Sequence, residues 1–221
     1  MTDSILTKSQ IQLMLNLQDS INSVIDQTWR EKEHPWYRAV WTECAEMLEH
    51  VGWKWWKYTE QDIGQIHLEI VDIWHFGLSE MLMKEDVESI SNSILLNFKN
   101  FTIKTEENDI ESLRASIENF ALFTLKNKKF SKELFVNIMI KSNLNPLELF
   151  KMYVGKNTLN KFRQDHGYKT GEYIKVWEDQ EDNVWLSKIT AHIPPSDDDY
   201  ANKIYNSLEK KYTSIKNNIG K

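Results

Sequence analysis

Glu43-Cys44-Ala45-Glu46 and Glu69-Ile70-Val71-Asp72 are two acid pairs, each with its members three residues apart. Residues so spaced share a face of a helix, so each pair can aim two carboxylates at one spot. The gap of 69 − 46 = 23 positions leaves room for one helix to end and the next to return antiparallel. Carboxylates converging on one cavity repel unless cations neutralise them. Hard oxygen ligands of this kind suit Mg²⁺, which binds carboxylates together with substrate phosphates and keeps several waters. Ala45, Met47, Leu48, Ile70, Val71, Ile73 and Trp74 flank the acids and are apolar. The acids therefore sit in core-like stretches, where charged groups need partners. The bland alternative is a set of solvated acids on amphipathic helices. An isolated ExxE is common; the second copy on the neighbouring helix is what keeps the metal reading open.

A second group lies downstream. Lys156, Asn160 and Arg163 share a helix face, with Asn157 and Gln164 beside them. Lys and Arg pair with phosphate oxygens, and Asn both donates and accepts, as nucleoside recognition requires. Spacing alone favours a plainer reading, a basic helix end that complements the helix dipole. The loop His166-Gly167-Tyr168-Lys169-Thr170-Gly171 adds a ring, a cation and flexible backbone. Gln18 and Asn22, one turn apart, could both face a base edge, but exposed polar positions are the preferred reading. Of the three Trp in VGWKWWK (51–57), most are expected to pack in the core rather than form a stacking wall. His75 follows Asp72 by one turn, a position usual for a structural histidine but here beside the proposed metals.

Positioning these groups calls for helices. Ile11, Met14, Leu15, Leu17, Ile21 and Ile25 recur at helical spacing, so a first helix is expected over about 8–29. Pro35 breaks the chain, and a second helix is expected over 36–56. Thr59 is the candidate N-cap of a third, with Asp62 in a loose capping-box relation, running to about Met83. Gly64 and Gly77 weaken it locally and offer close packing. Ile90, Ile94, Leu95 and Phe98 suggest a short helix, and KNFTIKTEEND a loop. Further helices are expected over 110–126, 132–142, 145–164 (Asn145 as cap, Pro146 at the first position) and 199–216. The expected fold is all-α: a single-domain helical bundle over 1–221, with an antiparallel core carrying the acid pairs and a mobile, loop-rich segment at about 165–198.

Composition bounds the rest. Only 7 Gly and 4 Pro in 221 residues favour a few long elements over many strands. A net charge of −6 makes a poor binder of nucleic-acid backbones. Cys44 is the only cysteine, which excludes an internal disulfide and a thiolate zinc site and fits a reducing cytoplasm. The opening MTDSILTKSQ lacks the pattern of a secretory signal. No apolar stretch is long enough to suggest a membrane span.

ECAE, EIVDIWHF, VGKNTLNKFRQDHGYKTGEY and EDN together resemble the dimeric all-α dUTPase family, within the broader all-α NTP pyrophosphohydrolases that share an ExxE…ExxD signature. The resemblance runs from LNLQDSIN to EDNVWL (181–186) and is weakest between about Met83 and Lys151. It implies a homodimer that hydrolyses dUTP, and also dUDP, to dUMP. It implies that Glu43, Glu46, Glu69 and Asp72 ligate two or more Mg²⁺. Gln18, Asn22, Trp55, His75, Asn160, Tyr168 and Asn183 match positions at the deoxyuridine pocket or its edges. Lys156, Arg163, Lys169 and Lys175 match or neighbour phosphate-contacting positions. On this reading Glu43 or Glu46 helps deprotonate an attacking water, and the HGYKTGEY loop closes over the nucleotide. Two alternatives stay open: a related pyrophosphohydrolase acting on dCTP or a non-standard nucleotide, and a helical protein that holds a partner through its Trp-rich surface.

Overall fold

Side-chain caps set where the helices begin. In a computed structural model, which describes residues 6–99, 101–102, 109–195 and 199–219, α1 (Lys8–Ile25) opens on a complete capping box between Thr7 and Gln10. α2 is Trp36–Val51, and α3 (Ile63–Leu82) is capped by Asp62, which accepts from the Gln65 N–H. Asp86 and Asp109 cap α4 (Val87–Phe98) and α5 (Ile110–Asn127) in the same way. Ser131 caps α6 (Lys132–Lys141). Asn145 Oδ1 accepts from the Glu148 N–H at 2.8 Å, and α7 (Pro146–Asp165) begins on its proline as expected. A two-residue ladder of β1 (Val176–Trp177) and β2 (Gln180–Glu181) precedes α8 (Asp182–Thr190) and α9 (Tyr200–Ile219). The chain is all-α, as its sequence implies. No helix among the described residues is long and apolar enough to cross a membrane.

Several boundaries differ from expectation, each for a local reason. α1 stops at Ile25 because Asp26 turns extended and its carboxylate binds the Thr28 N–H and hydroxyl. α2 stops at Val51 because Gly52 takes φ +77, a left-handed conformation that ends a helix. The cap of α3 is Asp62, not Thr59. Helix α8 occupies a stretch expected as loop, beginning where Asp182 is drawn into the interior. Of the expected 99–109 loop, Phe101, Thr102 and Asp109 are non-helical, and Asn100 and residues 103–108 lie outside the described residues.

Contacts divide the chain into two units, 1–150 and 151–221. In the first, α2 packs on α3 and α5, α1 on α3 and α4, and α5 on α6. The α2–α3 pair is antiparallel: Trp36 stacks on Phe76 near one end, while His50 meets Glu69 near the other. Trp74 lies flat on Phe135 at 4.8 Å between ring centres, with Phe98 edge-on at 6.3 Å. Such pairs add about 0.5–1.5 kcal/mol each beyond their burial. Gly77 gives a close approach, though to a loop residue and not to the helix foreseen: a Cβ there would fall 2.7 Å from the Phe130 ring between α5 and α6. Gly64 packs against no neighbouring helix; a Cβ there would meet only the Asp62 carboxylate. In the second unit, α8 packs on α9 and the hairpin. Phe162 there sits among Tyr173, Trp177, Tyr205 and Tyr212.

Candidate metal centre and nucleotide contacts

Glu43 projects from α2, and Glu69 and Asp72 project from the facing side of α3. One carboxylate oxygen from each lies within 4.8 Å of the others. Glu69 is buried, while Glu43 and Asp72 are half-buried. Burial, the Asp72 charge, a side-chain hydrogen bond with Glu69 and the Glu46 charge together push the Glu43 carboxyl up to about 8. That is the upward shift expected of an acid crowded by other acids. Three carboxylates are also a donor set that a hard divalent cation takes. Glu46, one turn along α2, is exposed and lies outside that tight group, though its charge reaches Glu43.

His50 was not singled out by the sequence reading. Its Nε2 is 3.3 Å from Glu69 Oε1. The spacing held the signal, since Glu43, Glu46 and His50 continue one helix face.

Gln18 and Asn22 are not exposed positions. Both are buried against α3. The Gln18 amide donates to Asn22 Oδ1 at 2.9 Å, and Asn22 donates to the Ser79 hydroxyl at 2.9 Å. Ser79 in turn donates to the His75 carbonyl. Gln18 Oε1 is 2.7 Å from His75 Nδ1, so that ring nitrogen carries the hydrogen. Ser79, missed in the sequence, closes this network. The expectation for the tryptophans fails as well: Trp53 and Trp56 are about half exposed and Trp55 is 90% exposed. They pack edge-to-face on one another, because Gly52 ends the helix before they can turn inward.

In the second unit, Arg163 grips Asp182 with a two-pronged contact, Nε to Oδ2 at 2.8 Å and Nη2 to Oδ1 at 2.7 Å. The same guanidinium donates to Asn160 Oδ1 at 3.2 Å and Asn183 Oδ1 at 3.4 Å, and stands 6.0 Å over the Tyr168 ring. Asn160, Arg163, Tyr168 and Asn183, picked out separately in the sequence, thus form one cluster. Its centre, Asp182, was not foreseen, nor was Tyr173, whose hydroxyl donates to Asp182 Oδ2 at 2.8 Å. Burial and that carboxylate push the Tyr173 phenol well above its ordinary range. Lys156 is half-buried on α7. Lys169 is exposed, and Lys175 reaches Glu181 at 3.3 Å on the surface.

A dUTPase family model, that of the dimeric all-α dUTPases, matches residues 10–168. The matched span carries Gln18, Asn22, the acid pairs, His75, Asn160 and Arg163, and ends before Asp182 and Asn183. No individual curated protein matches the chain. A match over well more than half of its length settles the family: the chain belongs to the dimeric all-α dUTPases, a family of dUTP-hydrolysing enzymes.

Proposed function

We propose that the chain hydrolyses dUTP, and also dUDP, to dUMP in a Mg²⁺-dependent reaction at the Glu43–Glu69–Asp72 cluster. The observation that carries this reading is the meeting of those three carboxylates within 4.8 Å on two helices of the family's matched span. Glu43, Glu69 and Asp72, with Glu46 at the rim, would hold the ions. Bound there, Mg²⁺ supplies charge neutralisation for the phosphates and a more acidic water.

The chain's own groups do the rest. Glu43 in the cluster, or Glu46 exposed beside it, would take the proton of the attacking water. Water adds across the anhydride bond between the α- and β-phosphates, one P–O bond forming as the bridging P–O bond breaks, so that dUTP gives dUMP and pyrophosphate, and dUDP gives dUMP and phosphate. Gln18, Asn22 and His75 form a pre-tied amide and ring network suited to a base edge carrying both acceptors and an N–H. A site built on such bonds rejects a base that leaves them unpaired. For Asn160, Tyr168 and Asn183 we propose nucleoside contacts, and for Lys156, Arg163, Lys169 and Lys175 phosphate contacts. The Arg163 guanidinium is oriented by its two contacts with Asp182. Trp55, fully open on the α2–α3 loop, is proposed as an edge contact.

We further propose that the protein works as a cytoplasmic homodimer, with residues 1–221 acting as one functional domain. Family membership and the exposed tryptophan cluster support the dimer, and sedimentation equilibrium tests it. The enzymatic reading is tested by following pyrophosphate release from dUTP, dCTP, dTTP and UTP, with Mg²⁺ and with EDTA. The expected result is turnover of dUTP over the others, abolished by EDTA. Equal turnover in EDTA, or a preference for dCTP, would end it.

A further inference from the structure

The face of α2 that carries its acids does not stop at Glu46. His50 follows Glu46 by four residues and Glu43 by seven, so it stands on the same side one turn further along. Its Nε2 lies 3.3 Å from Glu69 Oε1, and Glu69 is nearly enclosed. The helix end that bears this ring is fastened. The His50 carbonyl accepts from the Asp62 N–H at 3.0 Å, and the Gly52 N–H returns to the Leu48 carbonyl at 3.0 Å. Arg114 donates to the Gly52 carbonyl from α5. Asp62 caps α3, the helix that carries Glu69. The ring and its target are therefore held by one junction.

We propose that His50 is a positioning residue for the metal centre: its Nε2–H holds the Glu69 carboxylate in place, keeping the cluster set for a divalent cation. The inference rests on the cluster being a metal site. Glu69 shares a crowded site with Asp72 and with Glu43, whose side chain hydrogen-bonds it. A ring nitrogen 3.3 Å from one of its oxygens further limits how that carboxylate turns. Outer groups that orient a metal ligand matter about 10–100-fold in metal affinity. The hydrogen on Nε2 is present in the imidazolium and in one neutral tautomer, so the role does not turn on the ring's charge.

The test compares wild type with His50→Leu, which removes the donor, and His50→Gln, whose amide nitrogen reaches about as far as Nε2. Mn²⁺ binding without nucleotide is followed by loss of the free-ion electron paramagnetic resonance signal, and melting temperature reports folding. Leu is expected to weaken Mn²⁺ binding about 10–100-fold while turnover at saturating Mg²⁺ changes far less, and Gln to recover most of the loss. His50→Ala takes the place of Leu if the larger side chain unsettles the helix end. Unchanged Mn²⁺ affinity in the folded Leu or Ala variant, or a loss in Gln as large as theirs, would overturn the positioning role alone. Wild-type protein that binds no Mn²⁺ and works equally in EDTA would overturn the metal reading and this inference with it.

Discussion

Asp182 is completely buried, and Arg163, nineteen residues earlier in the chain, binds both of its carboxylate oxygens. One ion pair thereby joins α7 to the start of α8, with Tyr173 of the intervening loop donating to the same carboxylate. Removing one partner leaves a charge with nowhere to go. Arg163→Met is expected to cost about 3–5 kcal/mol of stability, read as a lowered urea midpoint. Arg163→Lys keeps the charge but not the fork, and should fall between. The double variant Arg163→Met/Asp182→Leu, which removes both charges, should recover most of the loss. If Arg163→Met is as stable as wild type, the pair is not what anchors α8.

Glu43 and its neighbours set stability and function against each other. Glu43→Gln removes a charge from the crowded cluster, so the metal-free protein should melt at the same or a higher temperature at pH 8. Its dUTP turnover should fall at least about a hundredfold, as befits loss of a group that aids charge neutralisation or proton removal. Glu46→Gln should likewise abolish turnover with the fold intact. A fully active Glu43→Gln or Glu46→Gln enzyme would rule out the assigned role.

The same cluster predicts a pH dependence. Glu43 is held up to about 8 in the folded chain, above its ordinary 4.5. Between those values the folded state binds more protons than the unfolded one, so metal-free stability falls as pH rises from about 4.5 to about 8. A cation must displace that proton, so Mg²⁺ affinity should rise with pH up to about 8 and level off above it. Melting curves at pH 5, 7 and 9, with and without Mg²⁺, check both. The largest gain from Mg²⁺ is expected at pH 9; an equal gain throughout would contradict the assignment.

Cys44 lies between the two acids of α2 but faces the other way, into the core. Burial first, and the Glu43 charge second, push its thiol up to about 12. The thiolate is the reactive form. The native protein should therefore resist Ellman's reagent at pH 8 and release one equivalent only in denaturant. Rapid native labelling would show that this part of α2 opens.

Gly77 lets α3 approach Phe130, and an alanine there would put its Cβ 2.7 Å from the ring. Gly77→Ala should cost about 1–3 kcal/mol through overpacking. Pairing it with Phe130→Leu should return part of that loss. A neutral Gly77→Ala would mean the ring can shift without penalty.

Local patterning alone identified most of the helices, because caps and apolar periods are local signals. Asn145-Pro146 marked the start of α7, and ExxE and ExxD placed acids on single faces of α2 and α3. Other features were present in the sequence but outweighed by residue type. Gln18 and Asn22 continue the stripe of Ile11, Met14, Leu15 and Ile21, so their positions are interior although their amides suggested the surface. The tryptophans of 53–56 suggested the core by composition, yet the left-handed turn at Gly52 leaves them outside. Which of four acids converge, and that His50 joins Glu69, depended on how α2 and α3 pack. That Asp182 is the residue Arg163 holds depended on pairing across nineteen positions. Spacing along one helix fixes which side chains share a face; only packing between elements fixes what that face meets.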